Sequence, residues 1–223
     1  MNSHPLHSIA PVETIAQSPP ISFPALTLVR ELTSNDREQL LAHFLALEDN
    51  DRLLRFAQFV PDHVMEHYVR SIDFTRDTVF GVFDHQLALV GVGHLAYLPL
   101  QKNGERAAEF GVSVLDHARG VGIGTKLFER AVIRSRNKHI SRLYMHCLSR
   151  NLKIMHIAKK AGMTIEIDDD ETNAYLVMQY ANPASLIAEI LEEQAAVLDY
   201  AIKHQTYCMS QWFKSLMPYG ISA

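Results

Sequence analysis

The stretch His117–Ala131, "HARGVGIGTKLFERA", sets glycines at 120, 122 and 124 directly ahead of a strongly helical run. Glycine lets a backbone approach a ligand closely, and the first N–H groups of a helix have no partner within it. The helix dipole puts a positive pole at the same place, so the pattern points to an anion seat. Two phosphate-binding loops are excluded by spacing. A Walker loop needs Lys and Ser/Thr straight after its second glycine, whereas Thr125 separates Gly124 from Lys126. A dinucleotide fingerprint, G-x-G-x-x-G, meets Leu127 at its sixth position when started at Gly122 and Thr125 when started at Gly120. A glycine-rich turn without a ligand remains open on pattern alone.

Outward from this loop, the helix is expected over Gly122 to Asn137, with Leu127, Phe128, Ala131 and Val132 on its apolar face. Upstream, "DTVFGVFD", "QLALVGVGHLAYLPL" and "ERAAEFGVSVLD" read as an antiparallel meander, separated by Asp84-His85 and Lys102-Asn103-Gly104. Before them come a strand in "ALTLVREL", a helix capped by Ser34 or Asn35, and two short helices in "DNDRLLRFA" and "PDHVMEHYVRSI", with Pro61 at an opening position. Downstream, "ISRLYMHCL" is a strand and "NLKIMHIAKKAG" a helix stopped by Gly162. "MTIEID" and "NAYLVMQY" finish the sheet around the acidic turn Asp168 to Glu171. The tail from Pro183 to about His204 repeats Leu186, Ile187, Ile190, Leu191, Leu198 and Ile202 at helical spacing and continues into a segment holding the single tryptophan, Trp212. An amphipathic helix usually serves a core, so self-packing is the first expectation for this tail, with partner binding or a homodimer contact second. Its acidic cluster, Glu189, Glu192, Glu193 and Asp199, argues against anionic lipid.

Composition narrows the function. A net charge of -4 does not suit an electrostatic grip on nucleic acid. Two cysteines, Cys147 and Cys208, supply neither a disulfide framework nor a four-cysteine zinc site, which fits a reducing cytoplasm. No run approaches a membrane span, and no basic-then-apolar segment opens the chain. Residues 1–24, with five prolines and one formal charge, read as a flexible leader. "HVMEH", His63 to His67, fits the H-x-x-E-H zinc pattern, but twelve histidines make chance matches common and no third ligand is marked. No metal is expected.

"AEFGVSVLDHARGVGIGTKLFERAV" followed by "NLKIMHIAKKAGM" resembles the two most diagnostic segments of the GNAT superfamily, the acyl-CoA-dependent N-acetyltransferases. Arg119, Gly122 and Gly124 match the R/Q-x-x-G-x-G/A signature, and Gly120 also stands as expected. Asn151 matches the asparagine that opens the following helix, and Gly162-Met163, eleven residues on, the pair that closes it. The resemblance implies an α/β (α+β) fold: a mixed, mostly antiparallel sheet flanked by helices. The N-acetyltransferase domain would span residues 25–180, with a helical extension over 181–223.

The resemblance also assigns roles. Acetyl-CoA would be the cosubstrate, its pyrophosphate against the backbone of Arg119, Gly120, Val121, Gly122, Ile123, Gly124 and Thr125. Val112, Ser113 and Val114 lie where the strand parts from its neighbour, binds the pantetheine arm and polarises the thioester carbonyl. Asn151 would hydrogen-bond the cofactor. An alkylammonium of pKa ~10.4 has no lone pair until deprotonated, so a base is needed. Glu109, ten residues before Arg119, stands where many relatives carry a glutamate base. Where many relatives place a tyrosine acid, seven residues after the asparagine, this chain has Ala158. His146, Cys147, Tyr144 and His156 lie nearby without a marked role; Cys147, in an apolar strand, reads as an inert thiol. The missing tyrosine and an "RLLRF" segment also resemble bacterial domains related to protein-lysine acetyltransferases. The acceptor would be a protein lysine or a small amine; the rival is a catalytically silent acyl-CoA sensor.

Overall fold

A computed structural model describes residues 27–101, 104–169 and 171–216. The leader expected over 1–24 lies outside them, as do Lys102, Asn103 and Asp170 of the expected turns. Seven strands form one sheet: β1 Arg30–Glu31, β2 Thr78–Phe83, β3 Leu89–Tyr97, β4 Ala107–Val114, β5 Arg142–Leu148, β6 Thr164–Asp168 and β7 Glu171–Val177. Their spatial order is β1-β2-β3-β4-β5-β7-β6. Every neighbouring pair is antiparallel except β4 and β5.

Both faces of the sheet are covered. Helices α1 Arg37–Leu45 and α3 Asp62–Ser71 bury Leu40, Phe44, Met65 and Val69 against Val79 and Val92 on one face, and α2 Asp49–Phe56 sits beside them. On the other face, α4 Ile123–Asn137 and α5 Leu152–Lys160 bury Leu127, Phe128 and Ile157 against Phe80, Phe110 and Met145. β2 is buried at all six positions, which is why "TVFGVF" reads as a continuous apolar run rather than an alternating one.

The turn entering α1 differs from expectation. Thr33 is the cap: its N–H donates to Asp36 Oδ2 at 2.8 Å, and its Oγ1 accepts from the Asn35 N–H at 3.3 Å. Pro61 precedes α3 as its cap residue, and β1 is confined to two residues.

The tail helix, α6 Pro183–Leu216, runs twelve residues past the expected end at His204. Its charged face, not its apolar one, meets the body. Arg130 of α4, only 2% exposed, donates to Glu193 at 2.9 Å and lies 3.4 Å from Glu189. Arg134 pairs with Glu189 at 3.0 Å and with Glu31 of β1. A buried guanidinium needs carboxylates, and α6 supplies them; that demand outweighs the burial of the helix's apolar stripe. Leu186, Ile187, Ile190, Leu191, Val197, Leu198 and Ile202 are left 48–62% exposed.

Candidate active site

β4 positions the site. Its parallel pairing with β5 covers only Ala107↔Arg142, Ala108↔Leu143 and Glu109↔Tyr144. On the other side, its pairing with β3 continues to Gly91↔Val114, while β5 stays with β7 through Leu148↔Glu171. The sheet therefore opens immediately after Glu109, and backbone groups of Phe110 to Val114 on that side have no strand partner. A cleft of about 590 Å³ occupies the opening.

The glycine loop forms the wall of this cleft. Gly120 and Gly122 have φ of +82° and +88°, a conformation that L side chains adopt at a cost. Gly122 caps α4 without any side-chain hydrogen bond, and the first intrahelical bond is Lys126 N–H to Gly122 O at 3.0 Å. The N–H groups of Ile123, Gly124 and Thr125 therefore lack helical partners, as the anion-seat reading requires. At Gly124 a Cβ would stand 3.2 Å from Ile157 Cδ1, so here close packing of α4 on α5 limits residue size.

Val112, Ser113, Val114, Arg119, Gly120, Gly122, Ile123, Gly124, Thr125 and Asn151 all line the cleft. Val121 does not; it is 70% exposed and contributes only to the loop's course. The side chains of Arg119 and Asn151 are engaged within the fold. Arg119 donates to the Val114 carbonyl at 2.9 Å and to Asp116 at 2.8 Å, and pairs with Asp51 at 2.5 Å, tying the loop to β4 and α2. Asn151 Oδ1 accepts from Ile154 N–H and its Nδ2 donates to the Leu54 carbonyl, both at 3.3 Å. Positive charge at the cleft comes instead from Arg55, Lys153 and Lys160.

The Ser113 side chain turns away from the loop to His43. His43 Nδ1 bonds the Leu89 carbonyl at 2.8 Å and so carries the proton; Ser113 Oγ then donates to bare Nε2, also at 2.8 Å. Burial pushes the His43 pKa down to about 4, which the Leu89 contact offsets only in part.

A second cleft of about 380 Å³ lies across β4 from the loop and contains Glu109, Gly111, His94, Tyr68 and Cys147. Arg55 lines both clefts. In the β3–β4 register Gly111 faces His94 and Glu109 faces Ala96, so Glu109 and His94 share one face of the sheet. His94 Nε2 contacts Asp77 Oδ2 at 3.2 Å, and Tyr68 Oη contacts His94 Nδ1 at 2.7 Å. His94 and Arg76 hold the Asp77 pKa below its ordinary value despite burial. With Asp77 a carboxylate, Nε2 donates to it and Tyr68 donates to Nδ1, giving a chain from the cleft to a buried anion. Burial pushes the Cys147 thiol up, so it stays protonated and a poor nucleophile. Ala158 is fully buried in the apolar core.

The profile described as "Acetyltransferase (GNAT) family" matches residues 11–163. The chain belongs to the GNAT acetyltransferase family. This acetyltransferase is thereby an acetyl-CoA-dependent acyltransferase. Among solved structures, the GNAT domain of S. lividans PAT is 19% identical, with TM-score 0.56, covering 67% of this chain and 89% of that one. A Vibrio cholerae spermidine N-acetyltransferase in complex with CoA and spermine is 22% identical, with TM-score 0.53 and coverage of 67% and 94%. A Salmonella typhimurium structure with its cofactor acetyl-CoA is 14% identical, with TM-score 0.54 and coverage of 70% and 97%. No curated protein matches the chain by sequence.

Sequence reasoning missed Arg55, Tyr68, His94 and Asp77. They come from α2, α3, β3 and the turn before β2, and no spacing links them. Among the described residues, no group of three His, Cys, Asp or Glu is placed to hold a metal ion; within "HVMEH", Glu66 pairs with Arg70 at 2.7 Å. No helix among the described residues is long and apolar enough to cross a membrane.

Proposed function

We propose that this acetyltransferase moves an acetyl group from acetyl-CoA to a primary amine by direct attack, within residues 25–180, with 181–223 as an extension and 1–24 as a leader. The observation that carries this reading is the meeting of two clefts at the point where β4 leaves β5, with Glu109 on one side and the glycine loop on the other. The residues fit the cosubstrate. The loop backbone from Arg119 to Thr125 receives the pyrophosphate, the free edge of Val112, Ser113 and Val114 receives the pantetheine arm, and Lys153 and Lys160 meet the remaining phosphate. Asn151 acts by fixing the start of α5 against α2.

The acceptor enters the second cleft as an alkylammonium, a shape that a protein lysine and a small amine both present. Glu109 takes one proton, directly or through water. The freed lone pair attacks the thioester carbonyl carbon; the C–N bond forms, the C–S bond breaks, the sulfur leaves with the electron pair, and the nitrogen's second proton passes to water or to the departing thiolate. Arg55 lines both clefts, and its charge there stabilises the departing thiolate in place of the tyrosine that Ala158 replaces. A thiol pKa of ~8.5 makes proton return from solvent adequate. Dependence on acetyl-CoA suits a cytoplasmic setting.

The test is release of free thiol from acetyl-CoA across a panel of peptide lysines and small amines. Acceptor-dependent release supports transfer. Acetyl-CoA binding without turnover on any amine would favour a silent sensor, the reading that the buried Ala158 supports.

A further inference from the structure

We infer that the outward face of α6 is a homodimer interface, in which two copies of the helix pack antiparallel about a two-fold axis near Asp199-Tyr200. Along α6, Ile187, Leu191, Gln194, Leu198, Ala201, Gln205, Cys208 and Trp212 follow one another at alternating intervals of four and three residues. This is an unbroken heptad seam over 26 residues. The flanking positions are Ile190, Val197, His204 and Gln211 on one side and Ala188, Ala195, Ile202 and Met209 on the other. From Leu186 to Trp212, Glu189, Glu192, Glu193, Asp199 and Lys203 all fall on the opposite side. Four of them hold α6 to the body: three glutamates surround Arg130, and Lys203 donates to the Phe83 carbonyl at 3.0 Å. The seam therefore points away from the acetyltransferase body.

Area and pattern both favour a second copy. The exposed apolar side chains of this face present on the order of 900 Å² per chain, against about 800 Å² per partner in a stable interface and less on a typical monomer. An antiparallel pair places Leu198 against the partner's Ala201, Leu191 against the partner's Cys208, and Ile187 against the partner's Trp212. The two polar seam residues then meet each other, Gln194 against the partner's Gln205, so their amides pair instead of facing apolar groups. Each layer is repeated on the far side of the axis, as an isologous contact requires. A parallel pair would stack each glutamine on its own copy and Trp212 on Trp212.

The test uses the full chain. Sedimentation velocity at tens of micromolar should give twice the 25.2 kDa chain mass. Leu198→Glu, at a position 62% exposed in the single chain, should give a folded monomer with unchanged circular dichroism. Under mild oxidation Leu191→Cys should form a disulfide-linked dimer through Cys208, while the wild-type chain should form none, because its two Cys208 residues lie about 25 Å apart in this register. A wild-type monomer, including one that binds lipid vesicles as a monomer, would overturn the inference. So would a dimer that survives Leu198→Glu, or a wild-type Cys208–Cys208 link.

Discussion

Arg55 lies across Gly111, so that a Cβ on Gly111 would come within 2.0 Å of a guanidinium nitrogen. The two residues fix the junction of the clefts. The guanidinium packs on Phe56, influences Tyr68 through a hydrogen bond, and has an Nε without a hydrogen-bond partner among the described residues. Gly111→Ala would collide with the end of a flexible side chain, not with backbone, so the arginine swings out and the fold persists. The expected result is a melting temperature within a few degrees of wild type and a kcat lowered about tenfold, equivalent to ~1.4 kcal/mol. Steady-state kinetics with thermal melts checks it; full activity would remove Arg55 from thiolate stabilisation.

Gly122 belongs to the loop proposed to hold the acetyl-CoA pyrophosphate. Its φ of +88° is strained for any side chain, and a Cβ there meets no protein atom within 4 Å. Gly122→Ala should cost about 1–2 kcal/mol of stability from backbone strain alone. Because the added methyl also disturbs the anion seat, the KM for acetyl-CoA should rise about tenfold with kcat for the bound enzyme little changed. Calorimetric titration with CoA separates the two effects.

His43 makes stability depend on acid. Its folded pKa, about 4, lies below the unfolded value of 6.5, so the unfolded chain binds the extra proton between those values. Stability from this group is complete above pH 6.5 and is lost as pH falls toward 4, by about 3 kcal/mol. Protonation also removes the acceptor for Ser113 and loosens β4 at the cleft. Chemical denaturation of wild type and His43→Gln should show a steeper acid loss in wild type over pH 6.5 to 4; parallel curves would contradict the assignment.

Arg130 anchors the tail. Removing it takes the guanidinium from Glu193 and leaves a vacated pocket, while Glu189 keeps Arg134, so Arg130→Ala should destabilise the protein by about 1–3 kcal/mol. Limited proteolysis should then cut α6 free before the acetyltransferase core. Resistance equal to wild type would show that the charge cluster is not what holds the helix.

The glycine-loop half of the candidate site was legible in sequence because its determinants are local. Gly120, Gly122 and Gly124 are spaced by the requirements of one loop, and Asn151 opens the next helix as a cap. The second cleft was not, because Arg55, Tyr68, His94 and Asp77 meet only through tertiary packing of α2 and α3 on β3. The tail shows a different limit. Its apolar periodicity foretold a helix, but which face turns inward depends on Arg130 and Arg134, whose burial the sequence does not reveal.

In the proposed mechanism Glu109 takes the acceptor's proton at the point where β4 leaves β5. Single-turnover acetyl transfer to an amine, compared between wild type and Glu109→Gln at saturating acetyl-CoA, tests it most directly. The rate should fall about 100-fold or more, with acetyl-CoA affinity unchanged and the loss partly recovered at high pH, where free amine is abundant. A Glu109→Gln enzyme that transfers acetyl at the wild-type rate at every pH would contradict the account and leave His94, backed by Asp77, as the proton acceptor in that cleft.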